Sequence, residues 1–231
     1  MCRLYGMIAT HPTRAECELI DAQNSLIEQA VEDRRGLENP HGWGIGVVRD
    51  GGTECARQVE PANSSDDFRQ RAIQTEADTL IAHVRRATVG EPLYENTHPF
   101  RNGGSFLAHN GHVGRFDDVR PKLLEALPES DRDRIGGTTD SEHFFQLALS
   151  HYRETDSRTE ALRRAAVQLR DWTRAIGGET ELYLNTLWGD DGLLVGTKLE
   201  RSLWYVEQSP TNLGKRFPTS RCFTSTPISP W

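Results

Sequence analysis

Trp43-Gly44-Ile45-Gly46-Val47-Val48-Arg49-Asp50-Gly51-Gly52-Thr53-Glu54-Cys55-Ala56-Arg57-Gln58-Val59 is the stretch that decides the fold class. Its first six residues are apolar or glycine and read as a strand. Asp50-Gly51-Gly52 is a strong turn signal, and a second strand is expected near 54–59. A strand that returns at once through a tight turn pairs antiparallel with its neighbour. Gly42, Gly44 and Gly46 lack the GxGxxG spacing and lie inside the strand, not between a strand and a helix, so they are not a dinucleotide loop. Their expected role is to admit the close approach of another backbone.

On the N-terminal side, residues 2–8 read as a strand and 13–35 as a helix, with Leu19, Ile20, Leu26, Ile27, Ala30 and Val31 on one stripe. On the C-terminal side, 65–76 reads as a helix and Leu80-Ile81-Ala82-His83-Val84 as a buried strand. A glycine- and proline-punctuated loop runs from Gly90 to Pro99, and Ser105–His109 is a strand broken by Asn110-Gly111. Thr139 with Glu142 and Ser157 with Glu160 are capping boxes that open helices over 140–154 and 158–175. Strands are expected again at 181–188, 192–197, 202–207 and 221–225. Strands, then helices, then strands, with hairpin signals and few βαβ units, indicate an α+β protein of mostly antiparallel sheet. Two sheets packed face to face with helices outside use all these elements, and no linker divides residues 1–231, which read as one domain.

The 231 residues carry 27 Lys plus Arg against 34 Asp plus Glu, a net charge of −7, which offers no electrostatic footprint for nucleic acid or an anionic membrane. No run approaches the ~18 apolar residues of a membrane span, and the first residues do not read as a signal peptide. Cys2, Cys17, Cys55 and Cys222 are scattered with no CxxC, which argues against a zinc ribbon and gives no reason to invoke a disulfide framework. A cytoplasmic, reduced protein is the expectation, without a cofactor. The sequence sets no oligomeric state.

Four groups of residues are able to carry chemistry. Removal of the initiator Met1 would leave Cys2 with a thiol and a free α-amine on one residue, and an amine of pKa about 7.7–8.0 serves as a general base; the plainer reading is an incidental cysteine. Arg85, at the end of a buried strand, is placed to fork two hydrogen bonds onto a carboxylate, or is one of a solvated pair with Arg86. Asn110-Gly111 is either a turn or, in an acyl-transfer site, a side-chain amide and an unhindered backbone N–H forming an oxyanion hole. His109 and His112 lack a carboxylate partner and make a poor metal-ligand set, so no metal is expected. Asp140, in the first turn of a helix, either complements the helix dipole or holds a substrate ammonium.

Together these segments resemble the class II glutamine amidotransferases, whose glutaminase domain belongs to the N-terminal-nucleophile hydrolases. The likeness runs through Cys2-Arg3-Leu4-Tyr5-Gly6, Gly42–Gly46, Arg85-Arg86-Ala87-Thr88-Val89-Gly90, Asn96-Thr97-His98-Pro99-Phe100, Leu107-Ala108-His109-Asn110-Gly111 and Thr139-Asp140-Ser141-Glu142. It is nearest to the stand-alone YafJ-like branch; a sister branch contains the γ-glutamyl amidohydrolase of ergothioneine biosynthesis. The C-terminal part fits more loosely, through Leu187-Trp188-Gly189-Asp190 and Ser225-Thr226-Pro227, and relatives continue into a further strand beyond the position of Trp231.

The resemblance implies a four-layer αββα sandwich of two mostly antiparallel sheets. It implies Cys2 as nucleophile with its own α-amine as base, and Asn110 and Gly111 as oxyanion donors. Arg85 would pair with the α-carboxylate of glutamine and Asp140 with its α-ammonium. Thr88 and His98 match positions lining the glutamine pocket and its covering loop. The implied substrate is glutamine or a γ-glutamyl amide, and the implied partner a separate synthase that takes the ammonia. Where synthase-fused relatives often carry an aromatic and a histidine, this chain has Arg86 and Val89, so the resemblance carries over the catalytic set but not the way the loop closes. Two rivals stand beside this reading: an acylase-type amidohydrolase, against which Arg85 and Asp140 argue, and a non-catalytic glutamine-binding subunit, against which Cys2 argues.

Overall fold

Two four-stranded antiparallel sheets lie back to back in the computed structural model, which describes residues 2–33, 35–49, 52–177, 181–207 and 226–227. The first sheet has the order β1-β4-β2-β3, with β1 at Arg3–Arg14, β2 at Trp43–Arg49, β3 at Gly52–Gln58 and β4 at Glu76–Val84. The second has the order β5-β6-β7-β8, with β5 at Phe100–Asn102, β6 at Ser105–Val113, β7 at Leu182–Asp190 and β8 at Leu193–Thr197. A short ladder joins β9 (Trp204–Tyr205) to β10 (Thr226–Pro227). The 43–58 hairpin pairs antiparallel, Trp43 with Gln58 through Arg49 with Gly52.

Alternation along the strands sorts the apolar residues into three layers. Trp43, Ile45, Val47, Leu80, Ala82 and Val84 face outward from the first sheet onto α1 (Leu26–Val31) and α2 (Asp66–Gln74). Leu107, Leu184 and Trp188 face outward from the second sheet onto α3 (Phe116–Ala126), α5 (Asp140–Thr155) and α6 (Arg158–Ile176); a single turn, α4 (Glu129–Arg132), precedes α5. Val48, Ile81, Phe106, Ala108 and Leu187 fill the space between the sheets. The result is the expected αββα sandwich. The glycine-rich β2 serves this packing: a Cβ on Gly44 would stand 2.1 Å from the carbonyl oxygen of His98. Only a residue without a side chain lets the 98–99 segment lie across the strand.

Both caps open helices, but neither forms the reciprocal bond of a capping box: the Ser157 N–H donates to Thr155 Oγ1 and the Glu160 carboxylate pairs with Arg163 and Arg164. Thr139 Oγ1 accepts from the Glu142 N–H at 3.2 Å, while the Glu142 carboxylate reaches back to the N–H groups of Gly136 and Gly137 at 3.1 and 2.7 Å.

The helix expected over 13–35 is corrected. β1 continues to Arg14, which pairs with Glu76, and a π-helical turn at Cys17–Asp21 precedes α1. Ser25 starts α1 afresh, accepting from the Glu28 N–H. The expected strand 202–207 shrinks to Trp204–Tyr205, and the one at 221–225 lies outside the described residues. The strand break expected at Asn110-Gly111 is also corrected: β6 runs through both residues to Val113, each paired with β7. Residues 116–132, which carry no element signal in the sequence, supply α3 and α4.

Candidate active site

The β1–β4 register brings the first two candidates together. Arg3 pairs with Val84 and Leu4 with His83, so Cys2 stands opposite Arg85 one step on. Leu4 packs into the inter-sheet layer, and Cys2, two residues earlier, shares that face of the strand. Its Sγ lies 3.3 Å from both the N–H and the carbonyl oxygen of Arg86, accepting from the first and donating to the second. Burial pushes the thiol pKa up, as does the Asp140 carboxylate; the Arg86 N–H and the Arg85 guanidinium pull the other way. Cys2, Arg85 and Asp140 thus act electrostatically on one another.

Arg85 is buried, and burial lowers its pKa. Its guanidinium donates to the carbonyl oxygens of Glu91 at 3.0 Å, Val89 at 3.1 Å and Gly90 at 3.0 Å. Three bonds to one loop make it the internal strut of residues 89–91, and a guanidinium has five N–H groups, so two are left over from these bonds. Asn96 extends the strut. Its Nδ2 donates to the Glu91 carbonyl at 2.9 Å, and its Oδ1 accepts from the Thr138 N–H at 2.8 Å. A chain of hydrogen bonds therefore runs from Arg85 through the 89–96 loop to the turn that opens α5 at Asp140.

Asp140 is buried at the head of α5. Its Oδ2 accepts from the Val113 N–H at 2.8 Å, and its Oδ1 lies 3.2 Å from the Ser141 hydroxyl. Ser141 Oγ in turn lies 2.8 Å from Nδ1 of His109, whose Nε2 lies 2.8 Å from the carbonyl oxygen of Tyr183. Gly111 sits against this ring. A Cβ there would fall 1.8 Å from the Tyr183 oxygen and 2.2 Å from His109 Nε2. Asn110, on the opposite face of β6 with Phe106 and Ala108, is buried toward the inter-sheet layer that also holds Ile81, with its Oδ1 unpartnered among the described residues.

His98 stacks on His83 with ring centroids 4.2 Å apart and meets Phe100 edge-on at 4.6 Å. Burial holds both histidines neutral: His83 is pushed down to about 3 and His98 well below the ordinary range, each lowered further by Arg85. Thr88 lies exposed on the bend after Arg85 and is not drawn into the cluster. His41 braces the other side. Its ring Nδ1 accepts from the Ala87 N–H at 2.9 Å, and its backbone N–H donates to the Arg85 carbonyl at 2.9 Å. Among the described residues no group of three or more His, Cys, Asp or Glu gathers to hold a metal ion, and no helix is long and apolar enough to cross a membrane.

Two antiparallel sheets between helical layers make the α+β architecture of the N-terminal-nucleophile hydrolases. The chain belongs to the class-II glutamine amidotransferases, whose family pattern matches residues 1–215. It is similar to the YafJ protein of Escherichia coli, 29% identical over 221 residues, covering 91% of this chain and 78% of the relative. It is also similar to the gamma-glutamyl-hercynylcysteine sulfoxide hydrolase of Mycobacterium tuberculosis, 33% identical over 119 residues, 50% of this chain and 51% of the relative. Among solved structures, a glutamine aminotransferase class-II domain protein from Silicibacter pomeroyi superposes with a TM-score of 0.61 at 27% identity, covering 74% of this chain and 76% of that one. The chain spans about half the length of other curated relatives it matches, 56% and 49% in two of them.

The sequence marks no role for Asn96, Ser141 or His83, and offers His109 only as a metal ligand. Asn96 stood inside a quoted motif, and a polar residue in a loop that must fold back on itself was the available signal. The partners of His109, 32 and 74 residues away, left no local trace.

Proposed function

We propose that this chain hydrolyses the side-chain amide of glutamine or of a γ-glutamyl amide through a thioester on Cys2. The supporting observation is that Cys2 Sγ hydrogen-bonds the Arg86 backbone while interacting electrostatically with Arg85 and Asp140. A thiol whose pKa is raised by burial is protonated at neutral pH and needs a base in contact with it. Removal of Met1 supplies one in the α-amine of Cys2.

In the proposed reaction the amine takes the thiol proton as Sγ attacks the amide carbon. The developing oxyanion is held by the Asn110 side chain and the Gly111 N–H; one such donor is typically worth about 10²–10³ in rate. The ammonium form returns the proton to the leaving nitrogen, the C–N bond breaks, and ammonia or an amine departs. Water then adds to the γ-glutamyl thioester, the C–S bond breaks, and glutamate leaves with the thiol restored. Arg85 and Asp140 orient the two charged ends of the amino-acid head, so the amide is presented to the thiol in one pose. His98 backs the pocket and Thr88 lies on its covering loop. A separate synthase would be the acceptor of the ammonia.

The test is a glutaminase assay on protein lacking Met1, on Cys2→Ala and on protein that retains Met1. Activity only in the first is expected. Equal activity with and without Met1 would remove the α-amine from the mechanism. Faster cleavage of simple acyl amides lacking the amino-acid head would favour the acylase reading instead.

A further inference from the structure

The contacts of His109 and Ser141 impose a hydrogen count. A carbonyl oxygen only accepts, so the 2.8 Å contact between His109 Nε2 and Tyr183 O places a hydrogen on Nε2. Ser141 Oγ lies within reach of two acceptors, His109 Nδ1 at 2.8 Å and Asp140 Oδ1 at 3.2 Å, but a hydroxyl has one hydrogen. If the imidazole is neutral, Nδ1 is a lone pair and takes that hydrogen, and Asp140 Oδ1 receives none from Ser141. If the ring is an imidazolium, Nδ1–H donates to Oγ and the hydroxyl turns to the carboxylate. Burial and His112 favour the neutral ring, while Asp140 and the Tyr183 carbonyl oppose them, and the balance falls below the ordinary histidine value. Asp140 Oδ2 is served separately by the Val113 N–H.

We infer that His109 and Ser141 are positioning residues that set the preference of the site for a free α-ammonium: neutral His109 turns the Ser141 hydroxyl away from Asp140, leaving the full acceptor capacity of Oδ1 to the cationic end of the substrate instead of sharing it with an internal donor. This rests on the reading of Asp140 proposed above and deepens it. A buried carboxylate oxygen with no internal donor is costly, and an ammonium satisfies it with a charge-assisted bond. The favoured substrates are therefore γ-glutamyl amides with an unblocked α-amine; N-acylated ones lack the matching group.

The test measures L-glutamine binding by calorimetry in a Cys2→Ala background. His109→Leu removes the acceptor and releases the hydroxyl to Asp140, so binding is expected to weaken about tenfold, the scale of one charge-assisted hydrogen bond. Adding Ser141→Ala removes the competing donor and is expected to restore most of that loss. Glutaramate, the analogue without the α-amine, is expected to bind the single and double variants alike. Losses that simply add, or that fall equally on glutaramate, overturn the inference. Nitrogen NMR of His109 in the unsubstituted chain guards against a folding defect in the leucine variant. A neutral Nε2–H tautomer at pH 7 supports the inference and an imidazolium overturns it. Absence of glutamine hydrolysis by protein lacking Met1 overturns the functional reading itself, and with it the substrate preference, whichever tautomer is found.

Discussion

Replacing Gly111 by alanine puts a methyl group where there is no room. The added Cβ would stand 1.8 Å from the Tyr183 carbonyl oxygen and 2.2 Å from His109 Nε2. The first of these is backbone in a paired strand, since Tyr183 is the register partner of His112, and cannot swing aside as a flexible side chain does. Overpacking a well-filled site costs about 1–3 kcal/mol. Separating the His109 ring from the Tyr183 oxygen leaves a buried donor and acceptor unpaired, at about 1–3 kcal/mol more. A total of about 3 kcal/mol, with a urea slope of about 2 kcal/mol/M, moves the unfolding midpoint down by about 1.5 M. The assay is urea unfolding followed by far-ultraviolet circular dichroism, with Gly104→Ala as control because a Cβ there meets nothing within 4 Å. Glutamine hydrolysis by Gly111→Ala is expected to fall at least 100-fold, because the Gly111 N–H moves with its strand. A midpoint equal to that of the control, with activity kept, would refute the argument that the His109–Tyr183 contact fixes the geometry at Gly111.

Other perturbations test other parts of the site. Asp140→Asn keeps an oxygen for the Val113 N–H and leaves the Thr139 cap intact, so the KM for glutamine should rise at least tenfold with little change in melting temperature; a collapse in stability with KM unchanged would make Asp140 a helix-start residue only. Asn96→Ala removes the bonds to Glu91 and Thr138, and the expected loss, about 2–4 kcal/mol by thermal or urea unfolding, should come with a higher KM as the 89–96 loop loosens. His83 and His143, held by burial to about 3 and about 4 against an ordinary 6.5, give the fold an acid sensitivity. The unfolded chain takes up their protons first, so stability is full above about pH 6.5 and falls below it by about 1.4 kcal/mol per pH unit for each histidine until the folded value is reached. Urea midpoints that stay level between pH 7 and pH 5 would contradict this.

The parts of the fold legible in the sequence were those governed by local chemistry. The 43–58 hairpin announced itself through Asp50-Gly51-Gly52, and α5 and α6 through the Thr139 and Ser157 caps, both of which accept a backbone N–H three residues on. The 13–35 reading failed because Leu19, Leu26, Ile27 and Ala30 do join one core, but from two separate segments; a buried stripe does not require a continuous helix. α3 gave no start signal, since its N-cap is Arg115 in the left-handed region with φ of 54° and no side-chain cap, and it carries Pro121. Cys2 and Arg85 were visible as motif residues, and strand register explains why they meet. That Arg85 would spend three hydrogen bonds on its own loop was not legible, because the carbonyls of Val89, Gly90 and Glu91 carry no mark in the sequence.

The central claim is that the thiol and the α-amine of one residue act together on a glutamine amide. Its most direct test is intact-mass and peptide-mapping spectrometry after incubation with a glutamine-analogue diazoketone. The account predicts one adduct per chain, on Cys2, formed only in molecules that have lost Met1. Labelling of Cys2 at the same rate in molecules that keep Met1, or no label on Cys2 in molecules that have lost it, would contradict the account.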